Sequence, residues 1–188
     1  MDVYDHGLDR GHSVVNHMIM ERRWAMPNAR TFSIKPIAEL IERHVHGHSI
    51  DPFANLSRVA QVTNDLNPDY HCDYTLDALD FLRMQEAGSV DTVLFDPPYS
   101  PRQVSECYKK MGRSVNMTTT QASFWGNAKR EIARVSKGKV LTFGWNSGGI
   151  GKKYGFEIIE ILLVAHGGWH NDTICVVEQQ KGNLECHT

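Results

Sequence analysis

The most constraining feature of this 188-residue chain is an apolar run that ends in a rigid turn. Residues 90–95, Val-Asp-Thr-Val-Leu-Phe, have the composition of a buried β-strand, and Asp96, Pro97, Pro98 and Tyr99 follow at once. Proline fixes φ and lacks an N–H, so the two prolines stiffen the turn, as they would in a simple strand terminator. Because open α/β sheets bind ligands outside the carboxyl ends of their strands, the turn predicts a binding site.

The remainder of the chain alternates between strand and helix patterns, which favours a largely parallel sheet. Residues 156–166 and 172–179 flank Gly167-Gly168 and predict an antiparallel hairpin. We therefore expect an α/β fold with a mostly parallel seven-stranded sheet, an antiparallel terminal hairpin and one domain over residues 1–188. Residues 1–30 read as a polar N-terminal extension. The other predicted strands are 48–53, 60–66, 71–74, 89–95 and 139–145, and the predicted helices are 34–46, 76–84, 100–111 and 119–135.

Composition limits the class of protein. A hydrophobic content of 41% and a charged content of 22% are ordinary for a soluble globular domain. The formal net charge of −2 argues against an indiscriminate polyanion binder. No apolar run reaches the ~18 residues of a membrane span, and the polar N-terminus does not resemble a signal peptide, so we expect a cytoplasmic protein. Four cysteines without paired spacing indicate reduced thiols.

Three alternating histidines, His44, His46 and His48, raise the possibility of a metal site. On a strand this spacing would place all three on one face. No cysteine or acidic cluster nearby completes a ligand set, so we expect solvated histidines at a helix end and no metal.

The Asp96–Tyr99 motif resembles the catalytic motif of S-adenosylmethionine-dependent methyltransferases that act on exocyclic amino groups of nucleic-acid bases. The resemblance is to compact adenine-specific DNA methyltransferases of the kind carried by phages or restriction–modification loci. It implies a Rossmann-like class I methyltransferase fold and methyl transfer to N6 of a flipped adenine in double-stranded DNA. The implied catalytic residues are Asp96 and the Pro97 carbonyl, which orient the amine, Pro98, which stiffens the turn, and Tyr99, which stacks on the base.

The resemblance continues upstream, where it implies the cofactor S-adenosylmethionine. Residues 51–54, Asp-Pro-Phe-Ala, are similar to the start of the family's first cofactor motif, which usually continues into a glycine-rich turn. Asn55 follows in place of glycine, and asparagine tolerates positive φ better than most residues. Too few residues follow Phe53 to fit the usual helix before the next strand. The implied cofactor contacts are Asp51, Pro52, Phe53, Ala54, Asn55, Asp65 at the ribose, Asp77 near the adenine, and Phe32 with Lys35 around the methionine and sulfonium.

Two of these acids also have simpler interpretations. An isolated aspartate after a strand, such as Asp65, is commonly a turn former. Asp77 precedes a predicted helix and would serve equally well as its N-cap. The sequence leaves both interpretations open.

Nucleic-acid contacts are predicted at two places. Lys109, Lys110 and Arg113 follow the Asp96–Tyr99 turn, where phosphate contacts would be useful. Lys152 and Lys153, with Trp169 in the hairpin turn, form a second candidate group, although Trp169 could equally be a packed turn aromatic. The chain has no room for a separate target-recognition domain, so we expect short or relaxed sequence specificity, or recognition through a homodimer or partner subunit.

Two alternatives remain open at this stage. The first keeps the fold and changes the acceptor to an RNA base or to N4 of cytosine. The second is a non-catalytic DNA-binding subunit of a heteromeric methyltransferase, which the missing glycine-rich turn would explain. Retention of the Asp96–Tyr99 motif argues against the second.

Overall fold

A computed structural model describes residues 18–98 and 122–183 of the chain. Their framework is one seven-stranded sheet with the spatial order β1-β6-β7-β5-β4-β2-β3. The strands are β1 Ile19–Trp24, β2 Ser49–Asp51, β3 Val62–Thr63, β4 Val90–Phe95, β5 Ser136–Gly144, β6 Phe156–Ala165 and β7 Thr173–Gln180. The α-helices are α1 Lys35–His44, α2 Ala78–Met84 and α3 Ala122–Val135, and short 3-10 helices span Thr31–Ser33, Pro68–Tyr70, Lys152–Tyr154 and Lys181–Asn183.

The strand directions are those of a Rossmann-like fold. Strand β7 runs antiparallel to its neighbours β5 and β6, and every other strand pair is parallel. The expectation of a mostly parallel sheet with an antiparallel terminal hairpin is thus confirmed. All six parallel strands end at the same side of the sheet, which we call the carboxyl edge.

Strand β1 was not predicted, because residues 1–30 were interpreted as a polar extension. It pairs in parallel with β6, from Ile19 opposite Glu160 to Trp24 opposite Ala165. Its residues are mostly exposed on both faces, and Arg22 interrupts the alternating apolar side chains by which a half-buried strand is recognised. Only the tertiary pairing with β6 defines it as a strand.

At the opposite end of the sheet, strand pairing is weaker than predicted. The segment 60–66 contributes only Val62 and Thr63 to a strand, and 71–74 contributes a single bridge between Asn64 and Tyr74. Side-chain bonds replace the ladder here: Asp73 accepts from the amide of Thr63 at 2.8 Å and from its hydroxyl at 2.7 Å. The prediction of a third strand at 71–74 is wrong in this respect.

The helices cover two faces of the sheet. Helix α1 packs Ile37, Leu40 and Ile41 against one face, and Pro36 lies in its first turn, where a missing N–H costs nothing. Helices α2 and α3 cover the other face around Phe81, Ile132 and their neighbours. The predicted helix at 100–111 lies outside the described residues. Within 18–98 and 122–183, no helix is long and apolar enough to cross a membrane.

His44 is not the solvated histidine that the sequence predicted. Its Nε2 lies 2.7 Å from a carboxylate oxygen of Glu160 on β6, and Arg43 donates to the other oxygen at 2.5 Å. The last turn of α1 packs against β6 and covers the His44 ring and the Glu160 carboxylate. Burial lowers the pKa of His44, the bond to Glu160 acts in the opposite direction, and the nearby Lys139 lowers the pKa further.

Candidate active site

Three aspartates converge at the carboxyl edge because they end or follow neighbouring strands. Asp51 is the last residue of β2, Asp65 lies just beyond β3, and Asp96 follows β4 directly. Strand β2 lies between β4 and β3 in the sheet. Burial is the main cause that raises the pKa of Asp51, and the negative charges of Asp96 and Asp65 raise it further, so both carboxylates lie within electrostatic reach of Asp51.

Asp51 is the buried member of this group, with no exposed surface. Its Oδ1 accepts from the amide of Phe53 at 3.0 Å, whereas its Oδ2 has no hydrogen-bond partner in the described part of the chain. Burial is the main cause that raises its pKa well above the ordinary value. A buried acceptor without a partner is costly in a folded protein, so this oxygen suits a ligand that brings a donor.

The loop after β2 is held by Asp65. Asn55 has φ of +50°, so it occupies the left-handed conformation that a glycine normally takes, as the sequence suggested. Its amide donates to Asp65 Oδ2 at 2.9 Å, and the amide of Asn67 donates to Oδ1 at 2.9 Å. Burial raises the pKa of Asp65, and these amide bonds lower it. Asp65 therefore shapes the loop, as a turn former does, and each of its oxygens keeps a lone pair for a further donor.

Arg58 and Asn64 complete the loop, and neither was identified from the sequence. Arg58 donates from its guanidinium to the carbonyls of Asn55, Ser57 and Tyr70. The buried Asn64 side chain donates to the carbonyls of Pro52 and Leu76 at 3.0 and 3.1 Å and accepts from the amide of Leu76 at 3.0 Å. For Asn64, the sequence signal was a polar residue directly after an apolar strand. No helix separates β2 from β3, as the short spacing predicted.

A cleft of about 250 Å³ lies between this loop and the segment that precedes α1. Its lining comes from residues 29–33 on one side and 54–59 on the other. Phe32, Ala54 and Asn55, which the sequence assigned to the cofactor, thus face the same space. The Phe32 ring packs on Phe143 of β5, with ring centroids 4.7 Å apart.

The other six predicted cofactor contacts do not line this cleft: Asp51, Pro52, Phe53 and Asp65 lie at or beyond the ends of β2 and β3, and Lys35 and Asp77 lie elsewhere. Lys35 is absent from the lining of this cleft; its side chain is 85% exposed and its ammonium lies 4.0 Å from Glu39. Asp77 is the N-cap of α2, and its Oδ1 accepts from the amide of Leu79 at 2.9 Å. The helix-cap interpretation of Asp77 is therefore confirmed, and a contact with cofactor remains a prediction.

The Asp96 turn lies on the α1 side of the carboxyl edge. Asp96 and Pro98 are half-buried and Pro97 is buried. Burial raises the pKa of Cys175 on β7, and the Asp96 carboxylate raises it further, so Asp96 lies near that thiol. Phe53 and Phe95 pack on each other just below the turn, with ring centroids 5.9 Å apart. Tyr99, Lys109, Lys110 and Arg113 lie outside the described residues.

The second predicted group of nucleic-acid contacts is divided by the sheet. Trp169 is fully exposed in the hairpin turn at the carboxyl edge. Lys152 and Lys153 precede the first residue of β6, so they lie at the opposite, amino edge. The carboxyl edge instead carries two exposed tryptophans that sequence reasoning passed over, Trp24 at the end of β1 and Trp145 after β5.

Comparisons with known proteins found no matching family model and no matching curated protein. Three similar solved structures share 10–13% sequence identity with this chain. A conserved hypothetical protein from Streptococcus pyogenes has a TM-score of 0.49, with 81% of this chain and 98% of that chain covered. Escherichia coli YhhF, provisionally named a methyltransferase, has a TM-score of 0.47, with 82% and 88% covered. A Pyrococcus abyssi tRNA (uracil-54, C5)-methyltransferase, in complex with S-adenosyl-L-homocysteine, has a TM-score of 0.44, with 78% and 38% covered.

Proposed function

We propose that this protein transfers a methyl group from S-adenosylmethionine to the exocyclic N6 of adenine in DNA. One observation carries the proposal. The Asp96-Pro97-Pro98 turn lies at the carboxyl end of β4, and the neighbouring strand β2 ends at the buried Asp51, whose pKa the Asp96 charge raises in addition to burial. This arrangement joins an amine-orienting turn of the type described above to a candidate cofactor site.

The residues around Asp51 fit the proposed cofactor. S-adenosylmethionine offers an ammonium group and a ribose diol as donors and a sulfonium as a positive charge. The buried Oδ2 of Asp51 has no partner within the described residues, and both Asp65 oxygens retain acceptor capacity. The cleft between residues 29–33 and 54–59 provides an adjoining space, and Phe32 is the aromatic residue in its lining. The bound cofactor would supply an electrophilic methyl group.

Asp96 and Pro97 would orient the acceptor. The lone pair of an aromatic amine is delocalised into the ring and must turn out of the ring plane to attack carbon. The Asp96 carboxylate and the Pro97 carbonyl would each accept a hydrogen bond from one N–H group of the amine, which directs the lone pair to the methyl group. As the N–C bond forms, the S–C bond breaks and its electron pair stays on sulfur, while one N–H proton passes to Asp96 or water. The contribution of the protein is orientation and electrostatic stabilisation.

The test measures methylated nucleosides by mass spectrometry after incubation of mixed-sequence DNA and RNA with the full chain and S-adenosylmethionine. We expect N6-methyladenine in DNA, with a loss of at least about 100-fold in Asp96→Ala because one orienting acceptor is removed. Asp80→Ala is the matched control, since Asp80 is an exposed carboxylate on α2 paired with Arg83 at 3.0 Å.

Each other product has a defined meaning. Methylated RNA without methylated DNA would indicate that the acceptor is an RNA base. N4-methylcytosine would indicate that the acceptor is cytosine. If neither polymer is methylated, calorimetry with S-adenosylhomocysteine decides between the remaining alternatives. The absence of binding, with or without DNA, would favour the non-catalytic subunit and overturn the proposed function.

A further inference from the structure

Strand β1 is the edge strand of the sheet and presents an exposed apolar face. Met18, Met20, Trp24 and Met26 are 48%, 69%, 65% and 64% exposed. Because successive strand residues point to opposite faces, Met20 and Trp24 of β1 lie on one face together with Arg22, and Met18 and Met26 flank the strand at positions of the same parity. A run of large apolar side chains on an unpaired edge favours association with another chain.

The register with β6 identifies which face this is. Met20 lies opposite Ile161 and Arg22 opposite Leu163. The intervening β6 residue Leu162 points into the core beneath α1, so the even residues of β1 point to the other face. The buried cluster beneath α2 and α3 includes one residue of β6, Phe156. Within the described residues, no helix covers the remainder of β6 and β1.

The main chain of β1 is also oriented for pairing. The amide of Ala25 donates to the carbonyl of Ala165 at 3.1 Å, so odd-numbered residues of this segment direct their main-chain groups toward β6. The even-numbered residues therefore direct their N–H and C=O groups away from the sheet. No described strand lies on that side.

We propose that β1 pairs antiparallel with β1 of a second copy of this chain, across a two-fold axis that passes through Arg22. An axis perpendicular to the joined sheet keeps the two faces distinct, so only residues of the same face can be opposite one another. With Arg22 on the axis, Met20 lies opposite Trp24 of the second copy, and Met18 lies opposite Met26. Every apolar side chain of the exposed face then meets an apolar neighbour, twice per dimer.

Charge complementarity selects this register. On the α1 face it places Glu21 opposite Arg23 of the second copy, again twice per dimer. In the isolated chain, Arg23 bonds to its own Glu21 at 2.9 Å and lies 3.7 Å from Glu39, so two carboxylates share one guanidinium. The two neighbouring registers place Glu21 or Arg23 opposite itself, and neither forms the Glu21–Arg23 pair. The selected register has one unfavourable feature, the two Arg22 side chains that meet on the axis.

The pairing leaves the candidate active site open. Counted with β1 as the first, β4 is the fifth strand of the sheet. Four spacings of ~4.8 Å therefore separate the two strands by about 19 Å. An antiparallel joint points the two carboxyl edges in opposite directions. Each copy would therefore act on its own substrate, and the inference does not depend on the proposed function.

The test is sedimentation equilibrium of the full chain from about 1 to 200 µM, the range in which a small interface is measured. We expect a monomer–dimer equilibrium, weakened at least about tenfold by Met20→Glu, which buries two charges per dimer. Arg22→Leu removes the like charges on the axis and should tighten the dimer about fivefold or more. Met84→Glu is the matched control, because Met84 is a 51% exposed methionine on α2 far from β1.

Hydrogen exchange distinguishes a second copy from other occupants of the edge. The amides of Met20, Arg22 and Trp24 should gain protection as protein concentration rises, and circular dichroism should show that all variants keep the wild-type fold. A wild-type monomer throughout the range would overturn the proposal. So would an undiminished dimer in Met20→Glu, or full protection of these amides at a concentration where the protein sediments as a monomer, which would mean that the same chain covers the edge.

Discussion

The main-chain amide of Asn55 donates a 2.9 Å hydrogen bond to Asp65 Oδ2, which ties the loop after β2 to the residue beyond β3. This bond is made while Asn55 has φ of +50°. A segment without glycine thus makes a left-handed turn of the kind that glycine usually makes. The amide of Asn55 faces the carboxylate as a result.

The left-handed conformation of Asn55 leads to a prediction for substitutions at that position. Asn55→Gly should be tolerated within about 0.5 kcal/mol, because glycine adopts positive φ freely. Asn55→Val should lower the free energy of unfolding by roughly 1–2 kcal/mol, because its branched side chain clashes in this conformation. Urea unfolding measures both, and equal effects of the two substitutions would contradict the loop geometry.

Asn64 should be more important for stability than its size suggests. Asn64→Ala removes the three hydrogen bonds that this buried side chain makes to main-chain groups of Pro52 and Leu76, so we expect a loss of roughly 2–4 kcal/mol in the free energy of unfolding. Asn67→Ala, which removes one cap bond to the amide of Asp69, should cost about 1 kcal/mol. Comparable losses in the two variants, measured by urea unfolding, would rule out the bridging role of Asn64.

The raised pKa of Asp51 makes stability depend on pH in a defined direction. Its folded-state pKa is above its ordinary value of 3.8, mainly because of burial, so ionisation is less favourable in the folded chain. The stability that protonated Asp51 contributes to the folded state is fully present below pH 3.8 and is lost as pH rises through the folded-state pKa. Asp51→Asn should therefore gain stability relative to wild type as pH rises from acidic to neutral. Melting temperatures at a series of pH values check this, and a constant difference would contradict it.

Phe32 and Lys35 provide a matched pair for the cofactor cleft. Phe32 lines the cleft, whereas the side chain of Lys35 is 85% exposed and lies near Glu39. Phe32→Ala should weaken S-adenosylhomocysteine binding about tenfold, since it removes apolar contact area. Lys35→Ala should change the affinity less than about twofold, because an exposed ion pair contributes little. Calorimetry measures both affinities. A larger effect of Lys35→Ala would support the predicted contact between Lys35 and the cofactor.

The two edges of the sheet should differ in nucleic-acid affinity. Trp169→Ala should weaken DNA binding about tenfold, as expected for loss of one aromatic contact with a base. The double substitution Lys152→Ala with Lys153→Ala should have a smaller effect, because both lysines lie at the amino edge. Fluorescence anisotropy at fixed salt compares them. A greater loss from the double lysine variant would indicate that DNA binds the amino edge.

Local patterns of the sequence were sufficient for several elements of this protein. The apolar run 90–95, the terminal hairpin and helix α1 were predicted close to their observed bounds, because burial periodicity and turn residues specify them within a short stretch. The positive φ of Asn55 and the cap at Asp77 were also within reach of the sequence, since both depend on neighbouring residues alone. The direction of each strand then placed Asp51 and Asp96 at one edge.

Tertiary structure decided what depends on residues far apart in the chain. Strand β1 exists through its pairing with β6, about 140 residues later, and Arg22 interrupts the apolar alternation of its exposed residues. His44 is covered because α1 ends against Glu160. Lys152 and Trp169 are 17 residues apart, yet the length of β6 places them at opposite edges of the sheet. Long-range pairing sets these relationships, and its free energy comes from contacts that no local window of the sequence contains.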